Sequence, residues 1–426
     1  MDGSPALRYT FAMRPPRVPW SRPEAFGAWV RLDDQTLVAV DRDLAERLAV
    51  NNAGSPPPGP TRPLELHMAV TSRCNAPCDG CYMDAHPKGA DVPFADLALS
   101  LAAARDAGVS TVAFGGGEPL LHRHIDALAE EARALGLVPV MTTSGAGLTP
   151  ERARSLRAFA QINVSYDGSD GGYLAVRGWD GAAVAERAIE TLAQAGIRVG
   201  ANVVLTRSSF DLLSATSDRV AEKGASEIQL LRYKPGGRAA APSYEARRLT
   251  PDQISLLWPS IKRVADAGRL RVRIDCALLP LLSSALSTEP GISRRLTDFG
   301  VFGCEAARHL AGLRSDGTVA PCSFFSSSSA QPLIELSSAR ARAADPPRAS
   351  LADWSTAADL EAFRAYHASP PEPCRSCELF TACRGGCQVV ARFLRGGSFG
   401  PDPECPRVAA LTQGPAAAKA PENPAA

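Results

Sequence analysis

The sequence holds no run of about 18 uninterrupted apolar residues, so no membrane-crossing helix is legible in it. Its opening stretch, "MDGSPALRYTFAMRPPRVPW", lacks the basic flank and apolar centre of a secretory signal. The chain therefore reads as soluble and cytoplasmic, with no membrane partner. Net charge is scarce too: 46 basic residues nearly cancel 45 acidic ones, leaving +1. That balance excludes an overall electrostatic bias toward nucleic acid or anionic surfaces, so any partner must be selected locally. Histidine is sparse, at six residues, and offers few metal ligands. Cysteine is not: the chain has eleven. In a reducing compartment they do not form a disulfide framework, and metal binding becomes the better explanation. The length of 426 residues, 45% of them apolar, suits two or three globular domains with real cores.

Composition divides the chain. The segment "AGSPPPGPTRP", residues 53–63, continues neither a helix nor a central strand and reads as a linker. Before it, "AWVRLDDQTLVAV" suggests two short strands around Asp33 and Asp34, followed by a short helix in "DRDLAERLAV". From residue 64 to about 275 apolar runs of strand length alternate with helical stretches. The strands are "LELHMAV", "TVAFGG", "VPVMTT", "INVSYDG", "VGANVVLT" and "EIQLLRY"; helical examples are "FADLALSLAAARDAG" and "VAERAIETLAQAG". Six such units imply parallel strands with helices outside, an α/β partial (β/α)6 barrel with its site at the strands' C-terminal ends. Residues 276–408 are cysteine-rich, with a Ser-rich loop at 323–331, and look stapled by metal rather than built around a large core. Residues 409–426 read as a disordered tail.

Cys74, Cys78 and Cys81 lie in "CNAPCDGC" as C-x3-C-x2-C, directly after the first strand. Three thiolates at this spacing can wrap one face of a cubane iron-sulfur cluster and leave its fourth iron without a protein ligand. A zinc knuckle or incidental thiols are the alternatives on spacing alone. "GGGEP" ends the second strand, with Gly116, Gly117 and Glu118. Ser165, in the fourth strand "INVSYDG", and Arg177, in "AVRG", lie twelve apart, and Leu231 lies in the last strand. His122 and His124 open a helix and read as surface or capping residues.

On these motifs the chain resembles the radical S-adenosylmethionine enzymes. The resemblance implies a 4Fe-4S cluster on Cys74, Cys78 and Cys81 whose open iron is chelated by S-adenosylmethionine. Reductive cleavage of that cofactor gives a 5'-deoxyadenosyl radical that abstracts hydrogen from a substrate. It further implies that Gly116 and Gly117 admit the cofactor, and that Glu118 meets its methionine ammonium. Ser165 would be a further contact, Arg177 would bond the methionine carboxylate and Leu231 the adenine. Flavodoxin or ferredoxin is the implied electron donor.

Seven more cysteines follow: Cys304, Cys322, then Cys374, Cys377, Cys383 and Cys387 as C-x2-C-x5-C-x3-C, and Cys405. The order resembles the SPASM extension of that family, which implies two auxiliary 4Fe-4S clusters and three in all. Cys374, Cys377, Cys383 and Cys405 would hold the outer one; Cys304, Cys322 and Cys387 would hold the inner one, with Cys276 as a fourth ligand or an open site. Four thiolates also suit structural zinc.

SPASM-bearing enzymes mostly modify peptides or proteins, so the expected substrate is a precursor peptide or protein that is cross-linked, epimerised, thioether-bridged or trimmed. Sulfatase maturases carry an aspartate base directly after the cysteine equivalent to Cys322; here that residue is Ser323, which argues against formylglycine formation. The other readings are a small-molecule or cofactor precursor as substrate, a sulfatase-maturase-like enzyme, and a non-catalytic metal-binding scaffold. Many peptide maturases also carry a small leader-recognition module. The N-terminal segment, with two strands and one helix, is small for it and reads more simply as a brace.

Overall fold

The computed structural model describes residues 20–24, 26–33, 36–50, 62–169, 171–240, 243–325 and 358–412. Residues 53–61 of the expected linker, 326–331 of the Ser-rich loop and the tail from 413 lie outside the described residues. The described residues before 51, together with Thr297–Val301, form one compact unit, and the rest form a second.

The smaller unit is an antiparallel sheet of β1 (Trp20–Glu24), β2 (Gly27–Arg31) and β3 (Leu37–Asp41), followed by the helix Arg42–Arg47. Asp41 caps that helix by accepting from the Leu44 amide at 2.8 Å. Ala28, Val30, Val40, Ala45 and Val50 make its core. The third strand goes beyond the two expected. β1 reads "WSRPE", with no apolar alternation, and its Pro23 is tolerated because β1 lies at the sheet edge.

The larger unit has all six expected strands: β4 (Glu65–Thr71), β5 (Thr111–Gly116), β6 (Val138–Thr143), β7 (Gln161–Ser165), β8 (Val199–Leu205) and β9 (Glu227–Arg232). Successive strands pair in parallel. Three short strands extend the sheet. β10 (Arg271–Ile274) pairs in parallel with β9, while β11 (Leu310–Leu313) pairs in parallel with β4 and forms a hairpin with β12 (Val319–Ala320). The order is β10-β9-β8-β7-β6-β5-β4-β11-β12. Helices such as Phe94–Asp106, Ile125–Ala134, Ala182–Gln194 and Leu213–Glu222 return the chain between strands.

Alternation along each strand assigns two faces. Leu66, Met68 and Val70 of β4, Ile162 and Val164 of β7, and Ile228 and Leu230 of β9 enter the apolar core with the helices. Glu65, His67, Gln161, Asn163, Asn202, Glu227 and Gln229 take the other face. On that face Gln161 donates to Glu227 at 2.8 Å and Asn163 to Gln229 at 3.2 Å, each reaching across β8. Six strand intervals separate β4 from β10, about 29 Å in a flat sheet. Yet Arg273 of β10 acts electrostatically on Glu65 of β4, so the sheet curls around a polar lumen.

The cysteine-rich region differs from expectation in one respect. Cys304, Cys322, Phe325, Phe363, Leu379, Cys383 and Cys387 belong to the same apolar core as the strands above. Hydrophobic packing therefore carries this region as well as any metal. The helix Pro406–Thr412 also takes ordered chain past residue 409, where a disordered tail was expected to begin.

Candidate active site and cluster sites

The C-terminal ends of the parallel strands form one rim, as in any sheet of this kind. Gly116, Thr143 and Ser165 are the last residues of β5, β6 and β7, and Leu231 is next to last in β9. A register shift between Ala69 and Thr71 breaks the β4–β5 ladder just before the cysteines. There the Gly117 and Glu118 amides donate to the Thr71 and Arg73 carbonyls at 2.7 and 2.9 Å. A Cβ at Gly116 would lie 2.4 Å from the Thr71 oxygen and one at Gly117 2.2 Å from the Arg73 oxygen. The close approach these glycines permit is thus to the root of the cysteine loop. Arg73 completes the anchor with bonds to Asp91 at 2.7 Å and the Leu121 carbonyl at 2.6 Å.

Cys74, Cys78 and Cys81 are partly exposed on this loop. Three arginines surround it. Arg238 donates to the Cys78 carbonyl at 3.0 Å and pairs with Asp84 at 2.8 Å. Arg247 pairs with Asp79 at 3.3 Å. Arg177 ends the helix Gly172–Arg177, pairs with the fully buried Asp167, and stands 4.0 Å from the Cys78 sulfur. It is no solvated surface arginine. Trp179, two residues on, donates its indole N–H to the same sulfur at 3.3 Å. Burial, with the charges of Glu118 and the other two cysteines adding to it, pushes the Cys74 thiol up to about 11, so ligation requires displacing a tightly held proton.

Glu118 is 3% exposed. Its carboxylate accepts from the Leu120 amide at 3.1 Å, Thr143 Oγ1 at 2.6 Å, and the Ser144 amide and hydroxyl at 2.8 and 2.5 Å. Ser165 is buried beside Asn202 of β8. Leu231 is half-buried and opposite in facing to the core residue Leu230. His122 is not the surface residue that was one expectation: it is 2% exposed, with Nε2 bonded to the Val92 carbonyl at 3.0 Å. It does cap, since it ends the turn Pro119–Leu121 and its Nδ1 accepts from the His124 amide at 3.3 Å. His124 is the N-cap residue of the helix Ile125–Ala134, with no side-chain cap bond.

All eleven cysteines are free thiols. Cys374, Cys377, Cys383 and Cys405 line a single pocket with Pro280, Phe380 and Asp402, so the four thiols proposed for the outer cluster share one space. Cys304, Cys322 and Cys387 influence one another electrostatically, and Cys276 lies within reach of Cys304 and Cys387. An all-thiol donor set fits an iron-sulfur cluster and equally zinc. Among the described residues no three Cys, His, Asp or Glu side chains stand close enough together to hold a single metal ion.

The segment from Cys322 to Phe324 joins the two cysteine regions. Phe324 packs on Tyr82, which follows Cys81, with ring centroids 4.3 Å apart. The Lys234 ammonium lies 4.1 Å over the Phe324 ring and pairs with Asp275, beside Cys276. Ser323 Oγ lies 3.0 Å from His67 Nδ1, and His67 Nε2 lies 2.8 Å from Glu65. In the tautomer whose Nε2–H donates to the carboxylate, Nδ1 accepts from the serine hydroxyl. Sequence reasoning missed His67, Glu65, Lys234, Asp275 and Trp179. Trp179 lies two residues past Arg177 and Asp275 one before Cys276; His67, Glu65 and Lys234 come together by topology.

Comparison with known proteins gives the same architecture. Residues 68–209 match the Radical SAM superfamily. The chain is 28% identical over 368 residues to "PqqA peptide cyclase" of Ruegeria pomeroyi, covering 84% of this chain and 91% of that protein. It is 26% identical over 349 residues to "AdoMet-dependent heme synthase" of Nitratidesulfovibrio vulgaris, covering 79% and 90%. Among solved structures, Streptococcus suis SuiB bound to its precursor peptide SuiA superposes with a TM-score of 0.68 at 17% identity, covering 91% of this chain and 98% of that one. Residues 68–209 thus form a radical SAM domain, and its curled parallel sheet, continued into a cysteine-rich region, fits an enzyme of the SPASM-bearing radical SAM type.

Proposed function

We propose that this enzyme modifies a ribosomally made precursor peptide or protein after hydrogen abstraction. The observation that carries the reading is the placement of Cys74, Cys78 and Cys81 on the C-terminal rim, anchored by the "GGGEP" backbone and joined through Tyr82 and Phe324 to a second thiol-rich region. When bound, a 4Fe-4S cluster and S-adenosylmethionine would supply a 5'-deoxyadenosyl radical there. Cys74, Cys78 and Cys81 would hold that cluster. Gly116, Gly117, Glu118, Ser165, Arg177 and Leu231 would border the cofactor. Glu118 acts from behind, because its carboxylate is already occupied by four donors and fixes the turn. The Asp167 pair holds Arg177 against the loop. Ser323, His67 and Glu65 would accept a proton where sulfatase maturases carry an aspartate.

Auxiliary clusters on Cys374, Cys377, Cys383 and Cys405, and on Cys304, Cys322, Cys387 and Cys276, belong to the same proposal, as does a flavodoxin or ferredoxin donor. The likeness to a peptide cyclase and to a structure holding a precursor peptide supports a peptide substrate. A small-molecule substrate is the second reading, favoured by the likeness to a heme synthase.

Anaerobically reconstituted protein is expected to hold close to three 4Fe-4S clusters and to release 5'-deoxyadenosine under reduction. Replacing Cys74, Cys78 and Cys81 with alanine should abolish that release. Co-expression with a short precursor encoded beside the gene, followed by mass spectrometry, identifies the modification. Zinc in place of iron, with no cofactor cleavage, refutes the reading.

A further inference from the structure

We propose that Trp179 sets the reduction potential of the cluster on Cys74, Cys78 and Cys81, through a hydrogen bond from its indole N–H to the Cys78 sulfur. The inference rests on the reading that these cysteines hold a 4Fe-4S cluster. Trp179 acts through a ligand and is therefore a positioning residue.

Indole offers one donor and no acceptor, and it neither titrates nor binds iron at ordinary pH. Its only polar action here is the N–H, 3.3 Å from Sγ. The ring is fixed on several sides. Tyr173 meets it edge-on, with centroids 5.4 Å apart and planes at 89°. Gly181 lies against it so closely that a Cβ there would sit 2.4 Å from a ring carbon. The backbone before it is pinned as well. Gly178 ends the preceding helix in the left-handed region at φ 78°, and the Arg177 carbonyl accepts from the Asp79 amide, inside the cysteine loop, at 3.0 Å. The donor thus belongs to the loop's own framework, aimed at one of the three sulfurs.

Reduction adds one electron to the cluster and increases the negative charge on its sulfurs. A donor on a ligating sulfur therefore binds the reduced form more strongly than the oxidised form and raises the potential. Arg177 is near the same sulfur, at 4.0 Å, but its charge is paired with Asp167 and is unchanged when the indole is altered. Phenylalanine keeps much of the ring's packing and lacks the N–H, so comparing the Trp179→Phe variant with the native chain isolates the hydrogen bond.

The test is an electron paramagnetic resonance redox titration of reconstituted full-length protein without added cofactor. Signals of the other clusters are subtracted using the triple alanine variant of Cys74, Cys78 and Cys81. Trp179→Phe is expected to lower the reduction equilibrium of the first cluster about tenfold, a shift of ~59 mV to more negative potential. Tyr173→Phe, which changes a neighbour and leaves the N–H, should not shift it. An unchanged potential in W179F, or an equal shift in Y173F, overturns the proposal. Should W179F fail to take up iron, a wild-type measurement decides: protein carrying 15N-indole should show a 15N coupling to the first cluster, and its absence refutes the bond. Wild-type protein with no signal from the first loop would instead overturn the underlying cluster assignment.

Discussion

Ser323 has no carboxylate, and on sequence alone that fact only removes a base. Folding supplies what the sequence hides: His67 lies 256 positions away and 3.0 Å from the hydroxyl. His67 and Glu65 are separated by one residue on β4, so strand alternation puts both on the lumen face, where they retain 31% and 39% side-chain exposure. Burial tends to raise the Glu65 carboxyl, but the His67 hydrogen bond and the charges of His67 and Arg273 outweigh it and leave it below its ordinary range. It remains an anion able to steady an imidazolium. His67→Gln is expected to leave 5'-deoxyadenosine release within about twofold, while modified product per cofactor cleaved falls about 10²-fold, as for loss of a general base. Equal losses in both yields would assign His67 to the scaffold. A second histidine makes a pH prediction. Among the described residues, neither ring nitrogen of His367 finds a hydrogen-bond partner, and burial, aided by the Arg384 and Arg308 charges, holds it down to about 3. Its folded value lies below its unfolded value of about 6.5. The folded chain then binds fewer protons, so stability is full above about pH 6.5 and is lost as pH falls toward 3, by at most ~1.4 kcal/mol per unit. Unfolding midpoints measured from pH 7 to 4 should fall, and His367→Phe should flatten that slope.

At the scale of elements, the strands that were legible are those whose two faces meet different surroundings. β4 to β9 show apolar positions on the helix side in runs of five to seven residues. β10 has four residues and its "RVRI" presents arginines to an exposed face, so no apolar run announces it, while β11 and β12 are apolar but only four and two residues long. Partner choice was equally hidden, since β11 reaches β4 across more than two hundred residues. The same distance rule governs Arg232 at the end of β9. Its guanidinium, 3% exposed, pairs with Asp402 at 2.6 Å and Glu404 at 2.8 Å, and donates to the Ala277 carbonyl at 3.0 Å. Asp402 lines the pocket of Cys374, Cys377, Cys383 and Cys405 and also accepts from the Cys387 amide at 2.9 Å. One buried pair therefore fixes residues of both proposed auxiliary sites to β9 of the curled sheet. Arg232→Met leaves the buried Asp402 without a cation and Glu404 with Arg248 alone, 2.9 Å away. It is expected to cost about 3–5 kcal/mol, read as a lowered denaturant midpoint, and to weaken auxiliary iron binding about 10–100-fold. Arg232→Lys should recover part of the stability, since one ammonium cannot serve both carboxylates at a fork.

For the whole molecule, the question is whether metal or packing holds the cysteine-rich region. The cysteine spacing was legible, and the structure gathers Cys374, Cys377, Cys383 and Cys405 around one pocket. The packing of the region was not legible, because Phe325, Phe363 and Leu379 contribute to a core whose other side comes from strands hundreds of residues earlier. A small zinc-stapled domain is unfolded without its ion. Here Cys304, Cys322 and Cys387 sit in the same continuous core as β4 to β9, and Phe363 is fully buried against Phe325 and Phe399 at 5.2 and 5.1 Å. The outer thiols are different: Cys377 and Cys405 are partly exposed, and their pocket opens among short turns. Metal removal should thus act in two degrees. Protein stripped anaerobically of iron is expected to keep most of its far-ultraviolet circular dichroism and a cooperative thermal transition at a lower midpoint. Limited proteolysis of the stripped protein should cut first between residues 374 and 405, at sites protected in the loaded form. Loss of the cooperative transition on stripping would instead show that the clusters, and not the shared core, hold the fold together.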